Sequence, residues 1–318
     1  MEGGGFIFYR FDQKSNTVAP FSLPTLPNVD GLILGYLSVA ELDDVADALE
    51  LPPHTVQQCR RELRHFRGGM EEGERYLFAT IRRTGGDAMG EDAIALYVGK
   101  RLFLVVDIRD SDGSTHRAFQ GLLRRFTPTT VTKERLIAAF LDTLIDGDSK
   151  LLEELEFTFS ELEDAVLRDA ADDDFTIRLL HHKQYLLLLH NYYEQLIDIG
   201  ETLFENESRL FARAELRHFH RFVGRVERLC RTVAILREQL SQLRDAYQST
   251  LDLRLGRIMK AFTVLSAICL PLSLIVGWYG MNFDMPEFGW RWGYPMVAIL
   301  CAAVVLICIK IFKKHHWM

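Results

Sequence analysis

The chain has 318 residues, 48% hydrophobic and 25% charged, with a formal net charge of −7. That acidic balance excludes nucleic acid as an expected partner, because a phosphate backbone is recruited by basic surface. The five cysteines, Cys59, Cys230, Cys269, Cys301 and Cys308, contain no CxxC pair and read as reduced, structural residues of a cytoplasmic body with a membrane tail. Residues 1–5 carry no basic region leading into an apolar run, so no cleaved signal is expected.

Residues 6 to 130 read as mixed α and β. Residues 6–9, 31–37, 75–81, 93–98 and 102–106 are strand-like, with Gly99-Lys100 as a hairpin turn between the last two. Ser38-Val39-Ala40-Glu41 is a capping box that opens a helix running towards Leu49, and residues 114–126 suit a second helix. No GxGxxG or GxxxxGK[ST] run appears, so no nucleotide site is signalled. From Thr132 onward the pattern is helical. Helices are predicted over 133–145, 151–169 and 175–204, broken at Gly147-Asp148-Ser149 and at Asp172-Asp173-Asp174. The Asp triplet reads as a solvated helix N-terminus, where carboxylates meet the positive end of the helix dipole. His181 and His182 are adjacent, and His218 and His220 are two apart, so neither pair shares a helix face and neither suits a metal. With no nucleophile–base pair and no metal triad, an enzyme is not expected.

A long helix follows Asn206-Glu207-Ser208. No proline interrupts it before Pro271, and Gly224 and Gly256 are its glycines before the apolar tail. Val226, Leu229, Val233, Leu236, Leu240, Leu243 and Tyr247 alternate steps of three and four, a heptad seam that then breaks through Leu251 and Leu255. Such a seam packs either on the chain's own body or on symmetry mates. About fifty helical residues extend roughly 75 Å, more than one small domain covers, which favours an oligomeric stalk. The division is then 1–205 for the body, 206–260 for the stalk and 261–318 for a membrane hairpin.

Residues 261–279 carry no charge and are long enough to cross a hydrocarbon core. Residues 294–309 form a second, shorter run that Ile311 and Phe312 extend while Lys310 snorkels. Arg254, Arg257 and Lys260 precede the first run, and Lys310, Lys313 and Lys314 close the second, which places both termini in the cytoplasm and residues 280–293 outside. Trp278, Tyr279, Trp290, Trp292 and Tyr294 cluster at the outer interface, with Trp317 beyond the inner one. Along the first run Met259, Thr263, Ser266, Leu270, Ser273, Gly277 and Gly280 form a stripe of small and hydroxyl residues, beside a bulkier stripe of Phe262, Leu265, Cys269, Leu272 and Val276. Small residues serve close helix packing; they also line water-filled paths. Two spans enclose no pore, so the second use needs several copies of the first span around an axis. Periodicity alone leaves both uses open.

Tyr279-Gly280-Met281-Asn282-Phe283, Met285-Pro286-Glu287, Gly293-Tyr294-Pro295 and the Lys-rich end before Trp317 resemble the CorA family of divalent-cation channels. The resemblance rests on residues 261–318; the long helix and α/β body agree in order and size. It implies an α/β cytoplasmic domain followed by a long stalk helix and two C-terminal transmembrane helices, in a funnel-shaped homopentamer of the cell (inner) membrane. The first span (261–280) would line the pore through Met259, Thr263, Ser266, Leu270, Ser273 and Gly277, with the second (294–312) outside it. Gly280, Met281 and Asn282 would form the selectivity ring at the mouth. The implied cargo is Mg²⁺, with Co²⁺ or Ni²⁺ as lesser cargo and Zn²⁺ in a ZntB-like sister branch. No cofactor is implied, and the partners are other copies of the chain, membrane lipid and divalent cations.

Chemistry agrees at these positions. Mg²⁺ gives up its water reluctantly, and the neutral amide of Asn282 holds a metal through its first-shell water without stripping it. Asp284 and Glu287 would gather cations outside the mouth. The segment between Asn282 and Met285 is one residue shorter than the family's usual form, which shifts Glu287 against the ring. Arg217, Arg221, Arg225 and Arg228 make the upper stalk basic, and acidic regulatory positions do not align. Met285-Pro286-Glu287 favours the Mg²⁺ branch. Two alternatives remain: a Zn²⁺ or broad divalent transporter coupled to protons, against which the scarcity of titratable groups in the spans argues, and a non-conducting scaffold or sensor with the same fold.

Overall fold

The computed structural model describes residues 7–12, 17–21, 31–60, 69–73, 75–84, 91–127, 131–168, 174–281 and 292–314. Strands β1 (Ile7–Asp12), β2 (Thr17–Phe21), β3 (Leu32–Ser38), β4 (Gly69–Glu72), β5 (Tyr76–Thr84), β6 (Glu91–Gly99) and β7 (Leu102–Arg109) form one mixed sheet in the order β2-β1-β3-β7-β6-β5-β4. Among the described strands only β3 and β7 pair in parallel. Leu102-Phe103-Leu104-Val105-Val106 is apolar at every position and buried throughout, as a central strand covered on both faces requires.

Helices α1 (Val39–Ala46) and α2 (Pro53–Cys59) cover one face, where Leu42, Val45, Val56 and Cys59 meet Phe8, Ile33, Leu37, Leu104 and Val106. Gly35 makes this closeness possible: a Cβ there would lie 2.6 Å from the Phe8 ring and 2.7 Å from Leu104 Cδ1. The expected capping box forms, with Glu41 Oε2 accepting from Ser38 N and Oγ, each at 2.9 Å. The helix it opens stops at Ala46, short of Leu49, and Glu50 turns with a positive φ of 53°. On the opposite face α3 (Ser114–Arg125) sets Phe119 against Tyr36 at 5.4 Å, and α4 (Lys133–Leu144) sets Phe140 edge-on to Phe103 at 5.6 Å.

Helices α5 (Asp148–Leu167), α6 (Phe175–Glu205), α7 (Arg217–Tyr279) and α8 (Gly293–Lys314) complete the order. The break before α5 is Gly147, in a left-handed turn at φ 89°, so Asp148 and Ser149 already belong to the helix. The long helix starts at Arg217 and not at residue 206. Asn206 ends α6 in the left-handed conformation, and its side chain holds both N–H and C=O of Phe211 at 3.0 Å. The intervening loop is fastened to the start of α4. Lys133 Nζ donates to the carbonyls of Gly99, Lys100 and Leu210 and sits 4.8 Å over the Phe211 ring, while buried Glu134 accepts from Ala212 N at 3.0 Å.

The chain divides into two compact units, residues 1–163 with 172–241, and residues 164–171 with 242–318. Within the first, α7 packs closely on α6: a Cβ on Gly200 would lie 2.6 Å from Val223 Cγ2. This packing corrects the expected use of the heptad seam. Val226, Leu229, Val233, Leu236, Leu240 and Leu243 are all buried within the single chain, so the seam is covered by the protein's own body and is not the surface offered to symmetry mates. Further along, Leu253, Leu255 and Ile258 stand open.

Leu236→Ala removes a fully buried side chain and should lower the melting temperature of the purified protein by roughly 5 °C or more. Since Leu236 faces its own chain, the elution volume of the assembled protein should not change. A pH test addresses Lys133. Burial pushes its ammonium from the ordinary 10.5 down to about 8. Between those values the unfolded state binds more protons than the folded one, so this residue makes stability rise with pH through that window. Melting curves from pH 8 to 10.5 should therefore climb relative to those of Lys133→Met.

Candidate functional site

Two helices among the described residues, α7 in its last third and α8, are long and apolar enough to cross a membrane by length and composition. In hydrocarbon no water is available to satisfy a broken backbone hydrogen bond. Pro271 breaks one, because it has no N–H to give to the carbonyl four residues back, that of Ala267. The Cys308 thiol of α8 faces that same carbonyl, Sγ to O 3.8 Å, a weak donor in the place of the missing one. Proline in the first span and cysteine in the second thus have a joint explanation that neither has alone.

That contact also orients the helix. The side of α7 near Ala267 is its less exposed side: Val264 is buried, and Ala267, Ile268, Pro271, Leu272 and Ile275 are half-buried. At 100° per residue the stripe of Met259, Thr263, Ser266, Leu270, Ser273 and Gly277 centres well over 90° away from it, and every one of these residues is exposed in the single chain. Phe262, Leu265, Cys269 and Val276 of the bulkier stripe are exposed as well. Both stripes therefore lie open, and chemistry separates them. Thr263 Oγ1 donates its proton to Met259 O at 2.8 Å, which leaves the hydroxyl oxygen as an acceptor. A cation's first-shell waters point their hydrogens outward and need acceptors of this kind.

Helix α7 ends at Tyr279, and Gly280 N donates to Val276 O at 2.8 Å. A Cβ on Gly280 would lie 2.9 Å from that same backbone oxygen, so the glycine is required by the close last turn. Met281 N reaches Trp278 O at 3.4 Å, and Met281 is exposed. Asn282, Asp284 and Glu287 lie outside the described residues, as do Trp290 and Trp317. Trp278, Trp292 and Tyr294 are exposed, as side chains placed at a lipid–water interface would be. No Asp, Glu, His, Lys or Arg occurs in residues 261–279 or 294–309.

In the first unit the basic run at the start of α7 is partly engaged by its own body: Arg225 pairs with Asp142, and Arg217 lies 3.9 Å from Glu215. Burial pushes the Asp142 carboxyl up, against the pull of Arg225. Asp174 precedes α6 without capping it through its side chain; Asp172 and Asp173 lie outside the described residues. His182 packs edge-on to Phe159 and His220 against Phe204, each at 5.2 Å. Asp92, Asp110 and Asp112 converge where β7 leads into α3, yet they serve the turn itself: Asp92 accepts from Ser111, Asp110 from His116 N and Asp112 from Ser114 N.

A family model described as CorA-like Mg²⁺ transporter protein matches residues 34–314. The chain is similar to the cobalt/magnesium transport protein CorA of Thermotoga maritima, 26% identical over 265 residues that cover 80% of this chain and 74% of that one. Among solved structures, that of the complete CorA magnesium transporter from Methanocaldococcus jannaschii covers 100% of both chains with a TM-score of 0.81 at 19% identity. The ZntB cytoplasmic domain of Vibrio parahaemolyticus covers 78% of this chain and 99% of its own with a TM-score of 0.62 at 12% identity. The first of these likenesses speaks for the whole fold, an α/β body, a long helix and two apolar C-terminal helices in the order the sequence reading expects, and the second for the body alone.

The stripe assignment is testable by thiol labelling. With Cys269, Cys301 and Cys308 replaced, Ser266→Cys, Ser273→Cys and Gly277→Cys in membrane vesicles should react with a charged, water-soluble thiol reagent. Leu265→Cys should react at least about tenfold more slowly, because lipid or a neighbouring helix shields it. Equal rates at all four positions would dissolve the distinction between the stripes.

Proposed function

We propose that this chain, which belongs to the CorA-like Mg²⁺ transporter family and is a divalent-cation transporter rather than an enzyme, conducts hydrated Mg²⁺ through a pore lined by α7 from several copies. The observation that carries this reading is the pairing of an exposed stripe of small and hydroxyl residues on the first span with a tight Gly280 turn leading into Met281 and Asn282. One chain has two spans and encloses nothing, so the stripe lines a path only when symmetry repeats it. A pentamer, the assembly implied by the resemblance, gives a ring of five Asn282 amides at the outer mouth. Asp284 and Glu287 would add about ten carboxylates outside that ring and concentrate cations there.

The ring is matched to a hydrated ion. Mg²⁺ keeps several waters in most of its protein sites, and an amide oxygen accepts from such a water at little energetic cost. A carboxylate ring would hold the ion more tightly and slow its release. The driving force is electrical. A divalent ion gains about 4.6 kcal/mol in crossing a potential of 100 mV, and residues 261–279 and 294–309 offer no carboxylate, imidazole or amine for a proton relay, with Lys310 standing at the inner end of the second span. Positive charges before the first span and after the second put both termini in the cytoplasm, so the protein sits in the inner membrane with its α/β body inside. Co²⁺ is the second cargo in this reading, supported by the name of the Thermotoga maritima relative. Zn²⁺ has the ZntB-like fold in its favour and no residue in the spans.

Flux into proteoliposomes under an imposed potential tests the proposal. Mg²⁺ should enter without a pH gradient, and Asn282→Ala should reduce that entry by about tenfold or more while the protein remains assembled. Zn²⁺ entry that rises with a pH gradient would favour the proton-coupled reading. Absence of flux for either ion from a folded oligomer would leave the scaffold reading in place.

A further inference from the structure

In the first unit, α6 and α7 bring together three side chains that bind metals elsewhere in proteins. His190 and Glu194 are four residues apart on α6 and so share a face. Cys230 of α7 comes against them. Its Sγ lies 3.4 Å from His190 Nδ1, Glu194 Oε1 lies 3.9 Å from His190 Nε2, and one ligand atom from each of the three falls within 4.8 Å of the others. A zinc ion at its usual distances, about 2.3 Å from sulfur and about 2.0–2.1 Å from nitrogen, sets those two atoms about 3.5 Å apart at the tetrahedral angle. The Sγ–Nδ1 edge is already that long, while the closest carboxylate contact is to the other ring nitrogen, so the flexible Glu194 side chain would turn to share an ion held at Nδ1.

A thiol–imidazole hydrogen bond beside a helix-surface ion pair would use the same contacts, and the neighbouring Arg231 pairs with Glu227 at 3.4 Å. The cluster differs from such a pair in bringing three ligand types together. It is also reachable: Glu194 is exposed, while His190 and Cys230 are half-buried, which leaves room for water as a fourth ligand.

We propose that His190, Glu194 and Cys230 form a binding site for one borderline-soft divalent cation of the Zn²⁺ or Co²⁺ class, clipping α7 to α6. Thiolate and imidazole select such ions. Mg²⁺ is excluded, since it demands oxygen ligands in octahedral array. None of the three residues belongs to the proposed ion path, so the site stands or falls independently of transport.

Titration of the full-length protein in detergent with Co²⁺ should produce the near-ultraviolet absorption of a sulfur-to-cobalt charge transfer. Cys230→Ser should abolish that band, and His190→Asn should weaken Co²⁺ affinity by on the order of tenfold or more. Alkylation of the wild-type protein, resolved by peptide, needs no variant: Zn²⁺ should slow modification of Cys230 about tenfold or more, and excess Mg²⁺ should not. No charge-transfer band, a band that survives in Cys230→Ser, or alkylation of Cys230 indifferent to Zn²⁺ would each overturn the proposal.

Discussion

Helix α7 buries its apolar seam on its own chain as far as Leu243 and then continues, with Leu253, Leu255, Ile258, Met259 and Phe262 exposed. Burial of apolar surface is the main favourable term for any helix in water, so a run this open needs cover from elsewhere. In the proposed reading lipid supplies part of it beyond Lys260, and before Lys260 the cover is the same stretch of α7 from other copies. The region where the protein's own body stops covering the helix is therefore where the proposed assembly must begin. The same seam that reads as a stalk contact in sequence is, in space, what fastens the helix to a single body.

Inside hydrocarbon a different constraint takes over, since every backbone carbonyl and amide must find a partner. Pro271 and Cys308 meet it together at Ala267. Gly280 meets it at the end of the helix, where Val276 O accepts and no side chain would fit. The helix end at Gly280, the proposed outer mouth, is thus a last turn that is closed and short of room. Whatever follows Gly280 leaves the helix at a fixed place, which is the requirement for repeating Met281 and Asn282 around an axis in one register.

Much of this was legible in the sequence. Apolar runs placed both candidate spans, while the mouth in residues 279–295 rests on the resemblance and stays a proposal. β3, β5, β6 and β7 are apolar enough to be read directly, and the starts of α4 and α6 fall where their polar N-terminal residues predicted. Elements that were missed have weak local signals. β4 is Gly69-Met70-Glu71-Glu72, an edge strand made unattractive to other edges by its charges. β2 carries Pro20, which edge strands tolerate and central ones do not. α2 had a signal, Pro53 at its first position, that its shortness concealed. The start of α7 was misplaced because residues 206–216 are ordered by Lys133 and Glu134, some seventy-five residues away in sequence. The heptad seam was read correctly as a seam and assigned to the wrong partner, since periodicity reports that a face is buried and not by what. His190 and Cys230 are forty residues apart, and only the His190–Glu194 spacing, which thousands of exposed helices share, was visible locally.

The two places where this chain is proposed to meet a cation differ in what they ask of the ion's water. An amide ring at Asn282 leaves the first hydration shell in place, which suits an ion that exchanges water reluctantly. A His190–Glu194–Cys230 site replaces that shell with sulfur and nitrogen, which suits an ion that trades oxygen for softer ligands readily. Their selectivities are consequently set by separate properties, hydration at the mouth and ligand softness in the body. A cation that passes the first intact is the one least able to occupy the second, so Mg²⁺ moving through the pore would leave the body site to its own metal even at high concentration. Occupancy of the body site would then report the cytoplasmic level of a metal other than the principal cargo. Because the site joins α6 to the helix proposed to line the pore, it would be mechanically placed to make that report felt along α7.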